Sequence, residues 1–151
     1  MQHRISAGVL VEDRERLLLV RHRRPDIYDF WVAPGGGVNG AEDLRDAARR
    51  EALEECGLEV EPLQIAYIEE FWNPSQRICK FWFTARVVGG SLSASAPSAS
   101  AEYIVDAAFL GRDDFEGKVI FPRVLWNEYW DDRVLGFSAS RYLGLREMEL
   151  S

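Results

Sequence analysis

Three glutamates, Glu51, Glu54 and Glu55, stand within about one helical turn of one another in the segment Gly35–Leu58, GGGVNGAEDLRDAARREALEECGL. Like charges at i,i+3 and i,i+4 repel by a few tenths of a kcal/mol per pair on an exposed helix. At about 100° per residue, Ala47, Ala48, Glu51 and Glu55 fall on the side of the helix begun by Leu44. Glu54 flanks that stripe, while Arg49, Arg50 and Leu53 point elsewhere. Neither Glu51 nor Glu54 finds a base at i+4, where Glu55 and Leu58 stand. Clustered, half-buried carboxylates are costly unless a cation compensates them, and hard divalent cations, Mg²⁺ above all, take oxygen ligands of this kind. Metal binding is one reading of the cluster; a surface ion network is the other.

The glycines ahead of the helix admit three motifs. Gly35, Gly37 and Gly40 spell GxGxxG, with Glu59 or Glu61 about 20 residues on, as in a dinucleotide site. Pro34 interrupts the strand that should lead into such a turn, and the chain lacks the alternating βαβαβ of that fold. A phosphate-binding Walker loop fails for want of Gly-Lys-Ser/Thr. The third pattern fits throughout. Gly36, Glu42 and the run Arg50-Glu51-Ala52-Leu53-Glu54-Glu55-Cys56-Gly57-Leu58 match every defined position of the Nudix box, G-x5-E-x7-R-E-U-x-E-E-x-G-U.

The chain therefore resembles the Nudix hydrolase family. The resemblance implies an α/β class Nudix fold, a mixed β-sheet sandwiched between helices, with the box as loop–helix–loop. It implies cleavage of a nucleoside diphosphate linked to another group, with Mg²⁺ or Mn²⁺ as cofactor. By position, Glu51 and Glu55 would be the main metal ligands, with Glu54 a further ligand or water-orienting group and the Gly35 carbonyl completing the shell. Arg50 would orient Glu51, and Glu42 would support that network. The family usually has glycine just before the first box glutamate, where this chain has Ala41; Gly40 is placed to take over the turn. The general base is Glu54 or a loop glutamate beyond the box, for which Glu102 stands in a suitable place.

Metals in such a site neutralise phosphate oxygens and lower the pKa of a bound water, and a carboxylate within hydrogen-bond reach accepts its proton. The basic knot Arg21–Arg24 reads either as a solvated turn or as a phosphate contact through Arg21 and Arg23. Tyr28, Phe30, Trp31, Phe71, Trp72 and Trp82 are core residues or base-stacking surfaces, with Tyr28 and Trp31 the substrate contacts taken forward. Pro74, 16 residues past the box, points through the resemblance towards ADP-ribose or a similar nucleotide sugar. A nucleoside triphosphate is the competitor. A non-catalytic, nucleotide-sensing Nudix module is the alternative of a different class; such modules commonly lose box carboxylates, and all are kept here.

Around these residues the elements follow from pattern. Ile5–Val11 and Leu17–Val20 read as strands joined by a polar turn, and Ile27–Pro34 as an extended piece ended by proline. Asp43 is the expected N-cap and Gly57 the stop of the box helix. Leu63–Trp72 and Ile78–Val88 read as strands, Gly89–Ala101 as a mobile low-complexity loop, Tyr103–Leu110 as a strand, and Phe121–Asp132 as a second helix with Phe121, Val124, Leu125 and Tyr129 on one stripe. The segment 134–151 has no clear pattern. The expected organisation is a single Nudix domain over 1–151.

The net charge of −7 disfavours a nucleic-acid partner in the absence of a basic stripe. No apolar run approaches the ~18 residues of a membrane helix, and no leader pattern precedes the first strand. Cys56 and Cys79 read as reduced thiols, which makes a cytoplasmic protein the expectation. The expected partner is a small-molecule nucleotide. A homodimer, if formed, would use Trp126 and Trp130 as exposed contacts.

Overall fold

A computed structural model describes residues 1–148. Continuous apolar runs, Ala7–Val11 and Leu17–Val20, make β1 (Gln2–Asp13) and β2 (Arg16–Arg24) strands that are buried on both faces. Val9, Val11, Leu18 and Val20 enter one core, while the intervening Leu10, Leu17 and Leu19 enter the other. A strand whose alternate residues feed two cores must lie between two layers. The remaining elements are β3 (Tyr28–Val32), β4 (Gly35–Gly37), α1 (Leu44–Cys56), β5 (Leu58–Trp72), β6 (Gln76–Gly90), α2 (Pro97–Ala101), β7 (Ile104–Leu110), β8 (Ile120–Phe121), α3 (Glu128–Val134) and β9 (Arg141–Glu147).

The strands form a mixed sheet in the order β8-β3-β2-β1-β6-β5-β9, with β4 added to β1 and β7 to β2. The pairs β1–β6, β3–β8 and β5–β9 are parallel and the rest antiparallel. Helix α1 covers one face through Ala47, Ala48, Ala52 and Cys56. The other face packs against Val124, Leu125, Tyr129 and Trp130. The α/β sandwich expected from the sequence is the fold observed.

Three segments differ from their sequence reading. The expected second helix is broken: β8 ends at Phe121, the Phe121–Pro122 peptide is cis, a 3₁₀ turn spans Arg123–Trp126, and α3 begins at Glu128. A proline within a helical pattern removes a donor and clashes with the preceding turn; Val124, Leu125 and Tyr129 are buried nonetheless. In the segment read as a loop, β6 continues to Gly90 and Pro97–Ala101 form α2, whose Ala99 is fully buried. In the unpatterned tail, residues 141–147 form β9, paired parallel to β5. Trp130 is a core residue whose Nε1–H donates to the Leu125 carbonyl at 2.8 Å, so it offers no exposed contact, while Trp126 is partly exposed against Phe115. Among the described residues no helix is long and apolar enough to cross a membrane.

Candidate active site

Helix α1 is set by its two ends. The Asp43 carboxylate accepts from the Arg45 N–H at 2.8 Å, and Gly57, at φ 76°, turns the chain out of the helix while its N–H donates to the Leu53 carbonyl. Both are the expected capping devices. Three alanines at the buried face bring the helix close to the sheet, and on that face Glu51 and Glu55 are only 5% and 2% exposed. Leu53, on the opposite side, is half exposed.

Arg50 wires the cluster together. Its Nε and Nη2 donate to the two oxygens of Glu42 at 2.9 and 3.0 Å, and Nη2 also donates to the Gly37 carbonyl at 2.9 Å. Its Nη1 donates to Glu51 Oε1 at 3.0 Å and Glu54 Oε2 at 3.2 Å. The planar fork of the guanidinium suits this: one side grips Glu42 in bidentate fashion while the other aligns two box glutamates. The bond to Arg50 holds Glu42 below the usual carboxylate range, and the same bond raises Arg50.

The glycine turn completes the enclosure. A Cβ on Gly36 would lie 2.6 Å from the Glu51 carboxylate, so the bare glycine backbone lets that side chain lie where it does. The left-handed conformation sits at Gly40, φ 52°, and not at Ala41, so alanine is accommodated without strain in the position that is usually glycine in the family. Gly35 meets the cluster through its N–H, which donates to Glu55 Oε1 at 2.8 Å.

Glu102 arrives from across the fold. Helix α2 docks on α1 through the buried Ala99 and through Ser98 Oγ, which donates to the Glu54 carbonyl at 2.8 Å. Glu102 follows α2 directly and is exposed. One carboxylate oxygen from each of Glu51, Glu55 and Glu102 lies within 4.8 Å of the others. Burial raises Glu51, with Glu102 adding to it; burial also raises Glu55 well above the carboxylate range, with Glu51 adding to it. Glu51 Oε2 is buried with no hydrogen-bond partner. An orphaned anionic oxygen among other carboxylates, with one guanidinium already engaged, is a donor set that fits a hard divalent cation.

The other expected site residues are placed apart. Arg21 is bound bidentately by Asp29 at 2.8 and 2.7 Å, and Arg23 lies 3.9 Å from the same carboxylate. Trp31 is buried among Leu17, Leu19 and Trp130. Alternation along β2 and β3 sends Arg21 and Trp31 to one face of the sheet and His22 and Phe30 to the other. On that second face His22 stacks on Phe30 at 5.0 Å, Tyr28 lies 5.4 Å from Phe30, and Phe121 meets Phe30 edge-on. Burial lowers His22 to about 4, so its ring is neutral near neutral pH. Phe30, Phe71, Phe121, Lys80 and Trp82 line a cavity of about 460 Å³ together with Glu69 and Arg146.

Lys80, Glu69, His22 and Arg146 were not singled out in the sequence. Lys80 had a signal: it is one of two lysines in the chain and stands between apolar residues in ICKFWF. Arg146 had none, because the strand that carries it had no pattern.

Residues 2–128 match the NUDIX domain family. The 8-oxo-dGDP phosphatase NUDT18 of Danio rerio is 29% identical over 92 residues, covering 61% of this chain and 27% of that protein. The ADP-ribose pyrophosphatase of Methanocaldococcus jannaschii is 28% identical over 101 residues, covering 66% of this chain and 60% of that protein. The chain thus spans less than two thirds of the length of either relative. The structure of a NUDIX hydrolase from Nitrosomonas europaea has the same fold, with a TM-score of 0.76 at 20% identity, covering 98% of this chain and 81% of that one. With the match extending from the first strand through the box to the start of α3, the chain belongs to the NUDIX domain family.

Proposed function

We propose that the chain is a single-domain Nudix pyrophosphohydrolase, dependent on Mg²⁺ or Mn²⁺, that cleaves the diphosphate linkage of a nucleoside diphosphate derivative. ADP-ribose or another nucleotide sugar is the substrate class put first, supported by the similarity to an ADP-ribose pyrophosphatase. The similarity to an 8-oxo-dGDP phosphatase favours a (deoxy)nucleoside di- or triphosphate as the second reading. The observation that carries the proposal is the convergence of Glu51, Glu55 and Glu102, with Glu51 Oε2 left without a partner.

In this reading Glu51 and Glu55 hold the metal, with Glu54 or Glu102 adding to the shell. When bound, the metal neutralises phosphate oxygens and lowers the pKa of a water. Arg50 fixes Glu51 and Glu54 in one geometry, and Glu42 keeps Arg50 in place. The water oxygen bonds to phosphorus, the bridging P–O bond breaks, and a carboxylate takes the water's proton. Glu102 is the acceptor put first, because its exposed carboxylate faces the cluster while Glu54 is engaged by Arg50. Near-normal turnover in Glu102→Gln would remove it from this role and leave Glu54.

The test is a hydrolysis screen with Mg²⁺ over ADP-ribose, other nucleotide sugars, dinucleoside polyphosphates and (d)NTPs, with Glu51→Gln as control. AMP plus ribose 5-phosphate from ADP-ribose, absent in the variant, is the expected result. Nucleoside monophosphate plus pyrophosphate from a triphosphate would move the substrate and keep the mechanism. No turnover on any substrate by folded, metal-loaded protein would turn the reading to a non-catalytic nucleotide sensor.

A further inference from the structure

Strand β6 presents Ile78, Lys80 and Trp82 on one face, and all three line the aromatic cavity. Its volume of about 460 Å³ falls within the range of small-molecule sites. Lys80 is half-buried, with its ammonium 4.2 Å from the centre of the Trp82 ring. Apart from that ring it has no hydrogen bond or ion pair among the described residues.

The carboxylate that register places opposite it, Glu69 on β5, is already taken. Glu69 Oε1 accepts from Trp82 Nε1 at 2.8 Å and Oε2 from Arg146 at 2.8 Å. Burial lowers Lys80, while Glu55, Glu69, Glu51 and Glu102 act on it through space in the opposite sense without pairing with it. Lys80 therefore stands where the acidic cluster meets the cavity, a cation in an apolar wall with three donors and no acceptor. Such a group is left incomplete by its own protein. An anion that enters with the ligand would complete it.

Resting on the hydrolase reading above, we propose that Lys80 is a substrate-binding residue that takes a phosphate oxygen at the mouth of the aromatic cavity. The diphosphate then runs from the glutamate cluster to Lys80, and the planar group attached on the Lys80 side enters between Phe30, Phe71 and Phe121. Ring faces accept any nucleobase, so Lys80 fixes which end of the substrate enters the cavity. A purely structural Lys80 would only offset the charge of the nearby glutamates. These two roles separate experimentally, since removing an offsetting cation tightens metal binding and leaves nucleotide binding alone.

The experiment is calorimetric titration of α,β-methylene-ADP and α,β-methylene-GDP, whose bridging carbon resists hydrolysis, into wild-type, Lys80→Met, Lys80→Gln and Lys80→Arg protein with Mg²⁺. The better-binding analogue should lose at least about tenfold in affinity in Lys80→Met and Lys80→Gln, as expected for a charge-assisted hydrogen bond to phosphate. Lys80→Arg should retain most of the affinity, and adenosine or guanosine, lacking phosphate, should bind wild type and Lys80→Met alike. Unchanged analogue affinity in both neutral variants, with Mg²⁺ binding tightened, would overturn the role of Lys80 and leave the hydrolase reading intact. Failure of both analogues to bind folded wild type would overturn the nucleotide reading itself and the role of Lys80 with it.

Discussion

Glu69 and Glu51 are two buried glutamates of one small protein, 2% and 5% exposed, and they are completed in opposite ways. Glu69 has an indole N–H on one oxygen and a guanidinium on the other. Glu51 has Arg50 on one oxygen and nothing on the other. A buried carboxylate whose lone pairs are answered by the fold is part of the fold's stability, because removing it strands its partners. One whose oxygen is left open weakens the fold until something from outside binds it. The contrast separates a carboxylate whose contacts are complete within the fold from one whose contacts are not.

The largest effect should fall on Glu51→Gln. Turnover on whichever substrate the screen identifies should drop by at least about a hundredfold, while the unfolding midpoint of metal-free protein stays level or rises, because a buried charge answered on one oxygen only has gone and Arg50 keeps Glu42. Denaturant titration in chelator checks the second half, and a marked loss of stability there would break the contrast. Glu69→Gln should behave the other way round. It leaves the Arg146 guanidinium without its charged partner and should cost about 1–3 kcal/mol of stability, read as a lower denaturant midpoint at unchanged slope.

The smallest effect concerns pH. Burial raises Glu55 in the folded protein above its ordinary value of 4.5. A group raised on folding contributes stability that is fully present below its unfolded value and is lost as pH rises through the folded one. In chelator, Glu55→Gln should therefore gain on wild type as pH climbs from about 4.5 towards neutrality, and Mg²⁺ should close the gap by stabilising only the wild type. Thermal unfolding across that pH series measures it; a gap that narrows with rising pH in chelator would remove the metal-free strain assigned to Glu55.

How much of this was legible in the sequence follows the range of each interaction. The box helix, its Asp43 and Gly57 ends and the inward stripe of Glu51 and Glu55 all depend on spacing within a few residues, and they were readable. The break at Pro122 was readable in principle, but the apolar stripe of Val124, Leu125 and Tyr129 outweighed a single proline. That stripe is real as burial and misleading as helix length. The facing of Lys80 towards Glu69 needs the register of β5 on β6, including its bulges, which no local pattern encodes. Likewise, Trp31 and Phe30 are neighbours in sequence and serve opposite faces, a choice made by which core each face meets. Strand β9 was invisible because its residues alternate only weakly between exposed and half-buried, and it exists by pairing with β5.

That last strand lies beyond residues 2–128, the part matching the family as a whole, yet it carries Arg146 to Glu69 and leads to Met148, both in the cavity wall. Part of the cavity wall is therefore supplied by a strand outside that span, while the Arg50 network lies wholly within it. On the proposed reading, substitutions along β9 would alter the cavity wall and leave the Arg50 contacts to Glu42, Glu51 and Glu54 in place, so ligand preference and metal geometry would respond to different parts of the chain.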